Sequence, residues 1–111
     1  MRKSWIALAA SGAFLLLPTL GFAQENHVAE AITHTRAAVG EGLDGKASAL
    51  VQHASEALEH ANAAQKEKSN PHVRGGIVHL KQAISHGKKG HATIATRHAK
   101  AALSDLEHAP H

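Results

Sequence analysis

The chain is 111 residues long, carries a formal charge of +3 with neutral histidine, and contains no cysteine. Without thiols it can form no disulfide framework, no thiolate zinc site, no c-type haem attachment and no iron–sulfur cluster. Two basic residues, Arg2 and Lys3, fall at the extreme N-terminus, and the chain beyond residue 23 sets ten Lys and Arg against nine Asp and Glu, so the basic balance is no sign of nucleic-acid binding.

In chain order the first element is a leader. Arg2 and Lys3 form a positive start, WIALAASGAFLLLPTLGF is apolar, and Gly21-Phe22-Ala23 places small residues at the −3 and −1 positions of a cleavage site. Together they predict a secretory signal peptide over residues 1–23, cleaved near Ala23. The alternative is a retained anchor, but Gly12 and Pro18 interrupt the apolar run. Cleavage removes Met1, Trp5, Phe14 and Phe22, so residues 24–111 hold neither aromatic residue nor methionine, while all 11 histidines remain. A chain this short, with Ala, Val, Ile and Leu as its apolar stock, can bury only a modest core. Abundant alanine favours closely packed helices over a sheet.

Residues 24–111 repeat internally. Segment 27–64 aligns with 72–109 at an offset of 45 without a gap, with 13 identities in 38 positions, among them His27/His72, His34/His79, Gly42/Gly87, Gly45/Gly90 and His53/His98. Each unit reads as two helices around a turn. Val28, Ile32 and Val39 mark the apolar stripe of the first helix. Ala47, Leu50, Ala54, Ala57 and Ala61 mark the second, Val73, Ile77, Leu80 and Ile84 the third, and Ala95, Ala99, Ala102 and Leu106 the fourth. Gly42 and Gly87 are suited to end helices in the left-handed conformation, Gly45 and Gly90 to close the turns, and Asn70-Pro71 to cap and start the third helix. Gly75-Gly76 is a local weakness, and the tail from Ala109 is expected to fray. The predicted fold is all-α, an up-down-up-down four-helix bundle made of two tandem helical hairpins.

The histidines recur every seven residues, as in HVRGGIVHLKQAISHGKKGH over 72–91. At 100° per residue a seven-residue step drifts only about 20°, so the histidines of one helix form a column. That column lies roughly 100–140° from the apolar stripe and therefore edges the core. Neighbours within it are about 10.5 Å apart, too far to share an ion with bonds of ~2 Å. A shared site must join two helices. Folding the first hairpin at residues 42–45 pairs His27 with His60 and His34 with His53. Folding the second at 87–90 pairs His79 with His98, His86 with His91, and His72 with Asp105. Seam positions of antiparallel helices meet in this way, so the columns zip into a ladder of rungs. HVAEAITH and HASEALEH place Glu30 and Glu56 on the same faces as their histidines, as ligands, as groups orienting an imidazole, or as plain solvated charge. Their counterparts in the second unit are Gly75 and Ala101, so its sites should be poorer in carboxylate.

The segment HVRGGIVHLKQAISHGKKGH and the following IATRHA, with the leader and the paired hairpins, resemble the small metal-binding protein family of ammonia-oxidising bacteria. That resemblance implies a periplasmic four-helix bundle binding several divalent metal ions, copper(II) prominent among them. Carried over by position, it implicates His27, His34, His53, His60, His72, His79, His86, His91 and His98.

Imidazole with carboxylate suits copper(II), nickel(II), zinc(II) and cobalt(II), and the Irving–Williams order puts copper(II) first. Two protein ligands per rung leave positions open, which fits labile sites for buffering, storage or scavenging. No enzymatic activity is expected: neither HExxH nor Glu-x-x-His occurs. The expected partners are metal ions, with no nucleic acid and, after cleavage, no membrane, the chain acting as a monomer or in metal-bridged oligomers. The alternative from another class is a pH-responsive structural or interaction protein, its histidine columns repelling one another in acid.

Overall fold

The computed structural model describes residues 26–111. The leader and its cleavage near Ala23 lie outside them. Among the described residues four helices follow one another: α1 (His27–Leu43), α2 (Ala47–Glu67), α3 (Pro71–Lys88) and α4 (Ala92–His108). Each packs on its neighbours in the order α1, α2, α3, α4 and back to α1, with α2 and α4 also touching across the diagonal. This is the expected bundle of two hairpins. No described helix is long and apolar enough to cross a membrane.

The helix starts follow from side-chain caps. Asn26 Oδ1 accepts from the Ala29 N–H at 3.0 Å, and Asn70 Oδ1 accepts from the N–H groups of His72 at 2.7 Å and Val73 at 3.2 Å. Pro71 follows Asn70 at the first helical position, where its missing N–H costs nothing. Gly45 and Gly90, with φ of 74° and 80°, supply the left-handed residue in each interhelical turn.

Gly42 and Gly87 do not have that role. Both lie inside helices and are buried. A Cβ on Gly42 would stand 2.7 Å from Leu50 Cδ1 and 3.1 Å from Thr96 Cβ, and one on Gly87 would stand 2.6 Å from Val51 Cγ2. These glycines let helices approach where a side chain would hold them apart. Gly76 does the same against Leu106, where a Cβ would meet Cγ and Cδ2 at 2.8 Å. What reads in sequence as a weak helix start is a packing contact.

Close approach also moves the core line. In α1 the buried residues are Ala31, Ile32, Thr35, Ala38 and Gly42, while Val28 and Val39 are only partly buried at the side. In α3 Val73, Gly76, Leu80, Ala83 and Gly87 face inward, and Ile77 and Ile84 stand beside them. Ile32, Val73 and Leu80 of the expected stripes are thus in the core, while Val28, Val39, Ile77 and Ile84 form the shoulder of the interface and small residues take the places between. Thr35 is fully buried because its hydroxyl donates to the Ala31 carbonyl at 2.7 Å. The α2 and α4 stripes are largely as expected, with Leu50 and Leu106 completely enclosed. Ala109 does not fray but is 3% exposed against the core.

Two glycines in one helix offer a test of this packing. Gly40 is exposed, with nothing within 4 Å of where a Cβ would stand, whereas Gly42 is enclosed. Gly40→Ala should raise stability by about 1 kcal/mol through helix propensity. Gly42→Ala should lower it, because overpacking by about 1–3 kcal/mol outweighs the same propensity gain. Urea unfolding of both variants measures the difference in sign.

Candidate metal centre

The histidines sit at the shoulder because each is offset from the small-residue line of its helix. The side chains of His27, His34, His53 and His79 are 20%, 27%, 32% and 35% exposed, so they neither fill the core nor extend freely into water. Columns of α1 and α2 face each other, as do those of α3 and α4. Ring centroids are 5.2 Å apart for His27 and His60, 6.1 Å for His34 and His53, 6.0 Å for His79 and His98, and 6.1 Å for His86 and His91. All four expected His–His pairs are brought together.

The fifth pair is not. His72 lies against His108, with centroids 5.8 Å apart, and Asp105 stands beside His79 instead, its Oδ2 3.8 Å from Nε2. Asp105 and His108 are three residues apart and share one face of α4, so the column does not end at Asp105. The longer imidazole reaches His72, while the short carboxylate settles over Gly75, where a Cβ would be 2.8 Å from Oδ2. A strict seven-residue count steps over His108. The signal that finds it is its i+3 relation to Asp105.

The rungs are also not separate. His34 stacks on His60 at 5.7 Å with 6° between planes, and His86 on His98 at 5.3 Å with 8°. Rings from one helix therefore interleave with those of the other, about halfway along the ~10.5 Å spacing of each column. Each hairpin carries a continuous staircase, His27–His60–His34–His53 in the first and His79–His98–His86–His91 in the second.

Carboxylates join the first staircase. Among the described residues, Glu30, His34 and His60 form one group, and His34, His53 and Glu56 another, each with ligand atoms within 4.8 Å of one another. Glu56 Oε1 lies 3.2 Å from His34 Nδ1 and 3.5 Å from His53 Nδ1. Donors around a tetrahedral ion with bonds of ~2.0 Å stand about 3.3 Å apart, so this oxygen is already at ligand spacing from both imidazoles. His27 Nδ1 and His60 Nδ1 are 3.0 Å apart, and Glu67, seven residues beyond His60 in the same column, stands 3.7 Å from His27 Nε2. In the second hairpin Asp105 is the carboxylate found beside the staircase.

The staircases leave polar atoms unsatisfied. Nδ1 of His53, His79 and His86 is shielded from solvent and has no hydrogen-bond partner. An unpaired buried donor or acceptor costs about 1–3 kcal/mol, a deficit that a metal–nitrogen bond removes. His98 is held below its usual pKa of 6.5, first by partial burial and then by repulsion from His86, His79 and Arg97. It therefore keeps a lone pair available where an ordinary histidine begins to take a proton.

The sign of the stability effect follows from this depression. Below pH 6.5 the unfolded chain binds a proton at position 98 that the folded chain resists, so stability falls as pH drops through the interval between the two pKa values. Above that interval the contribution vanishes. Metal-free protein should melt at a lower temperature at about pH 5.5 than at about pH 7, and His98→Gln should reduce the fall. Thermal unfolding followed by circular dichroism across this range measures it.

A family model described as small metal-binding protein matches residues 1–109 of the chain. No individual curated protein matches it.

Proposed function

The chain belongs to the small metal-binding protein family, and from that premise we propose that it buffers or scavenges divalent transition-metal ions after export to the periplasm, with copper(II) held most tightly. The observation that carries this reading is Glu56 Oε1 at 3.2 and 3.5 Å from two imidazole nitrogens on different helices. Imidazole and carboxylate donors suit copper(II), nickel(II), zinc(II) and cobalt(II), and affinity at such sites peaks at copper(II) in the Irving–Williams order.

His27, Glu30, His34, His53, Glu56 and His60 serve the first hairpin, and His72, His79, His86, His91, His98, Asp105 and His108 the second. Partial exposure supports exchange rather than permanent retention. Each ion meets two or three protein donors and completes its coordination with water. The staircase holds its ligands in place before an ion arrives, because ring stacking and helix packing set their separation. Binding requires neutral imidazoles and so weakens in acid. No catalytic role is proposed, and the chain acts as a monomer or in metal-bridged oligomers.

Copper(II) binding to the folded chain should raise its melting temperature, by on the order of 10 °C at about 100 times Kd, since only the folded state presents the paired donors. Glu56→Gln should weaken binding in the first hairpin about tenfold or more while leaving the metal-free melting temperature nearly unchanged. Calorimetric titration at pH 7.5 with elemental analysis of the product gives affinity and ion count. Absence of any thermal shift or retained metal overturns the reading, and an acid-triggered opening indifferent to metal would favour a pH-responsive role instead.

A further inference from the structure

The two donor groups of the first hairpin overlap, since His34 belongs to both. A neutral imidazole has one nitrogen with a free lone pair, while the other carries a proton. Serving two ions at once would require stripping that proton to leave an imidazolate. His34 Nδ1 already faces Glu56 at 3.2 Å, with His53 Nδ1 3.5 Å from the same oxygen. The group with Glu30 and His60 is therefore left one imidazole short whenever the Glu56 group is filled. A substitute stands on the other side: His60 turns Nδ1 towards His27 Nδ1 at 3.0 Å.

We propose that the first hairpin fills in sequence, one ion taking His34, His53 and Glu56, and a second ion being admitted only because His27 replaces His34 beside His60 and Glu30. This rests on the metal-binding function above and adds to it a coupling between two sites through one shared ligand. The stacked His34–His60 pair, with 6° between planes at 5.7 Å, lies between the two ions and keeps them close. Repulsion between like charges over that separation weakens the second ion by at least about tenfold. The hairpin is thus a graded reservoir, with one tighter and one more readily released ion. His27 lies beside His60 of one donor group and belongs to neither, so it is the residue whose loss separates shared from independent sites.

Zinc(II) titration of the full chain, followed at each imidazole by long-range 15N–1H NMR, reads the order of filling directly. His34 and His53 should shift together first, and His27 and His60 only at a free zinc concentration about tenfold or more higher. In His27→Gln that later step should disappear, and elemental analysis should count one zinc fewer per chain. His27 is the first residue of α1, so the substitution leaves the packed helix interior untouched. If His27→Gln keeps the full count while His34, His53 and His60 saturate together, the sharing of His34 is overturned and metal binding stands. If zinc moves none of these imidazoles in the unmodified chain, the metal-binding function falls as well.

Discussion

Everything at the metal centre depends on how closely the helices approach. The facing surfaces are built from Ala31, Ala38, Gly42, Ala54, Ala57 and Ala61 in the first hairpin and from Gly76, Ala83, Gly87, Ala95, Ala99 and Ala102 in the second. Small residues let backbones draw together, and the cost is a core with few large side chains, the largest fully enclosed ones among the described residues being Leu50, Leu80, Leu106, Val73 and Thr35. The return is geometric. Imidazoles at the shoulders of two helices can interleave only if the axes are near enough for rings from opposite sides to share one seam. A leucine-rich core would bury more apolar area and hold the rings apart.

The seven-residue period then does two things. It keeps histidines of one helix in a nearly straight column, and it sets their spacing near 10.5 Å, about twice the thickness at which a second column fits between them. Interleaving is the consequence, with ring separations of 5.2 to 6.1 Å along both staircases. A ring with neighbours above and below cannot act alone. Each imidazole has one lone pair to give and two directions in which to give it, so an ion bound at one step changes what the next step can offer.

The four His–His rungs were legible because antiparallel pairing is arithmetic: once the chain is folded at 42–45 and 87–90, His27 must meet His60 and His79 must meet His98. The diagonal stacks were not legible, since they depend on the axial stagger of two helices, which residue counting cannot supply. Nor was the pairing of His72 with His108, because two residues on one face of α4 compete for the position and side-chain length decides between them. In α1 and α3 part of the core line was read to one side for a related reason. Hydropathy weights Val28, Val39, Ile77 and Ile84 as heavily as the buried Ile32, Val73 and Leu80, whereas packing sets the first four to the side and brings in small residues such as Ala31, Ala38, Gly76 and Ala83.

The departures between the two hairpins show the same constraint at work. Where the first has Glu30 opposite His60, the second has Gly75 opposite Asp105, and the carboxylate has crossed from one helix to the other. Neither change suffices alone: a glutamate at 75 would run into Asp105, and a glycine facing a histidine would leave no carboxylate. Where the first has Glu41 and Lys46 near its turn, the second has His86 and His91, which add a rung. The second staircase is therefore richer in imidazole and poorer in carboxylate around one packing scheme. Carboxylate offsets the charge of an incoming cation, while additional imidazole favours metals high in the Irving–Williams order. On the proposed function, two hairpins of one fold thereby cover different parts of the range of ions and concentrations while both keep surfaces of alanine and glycine that let the helices approach.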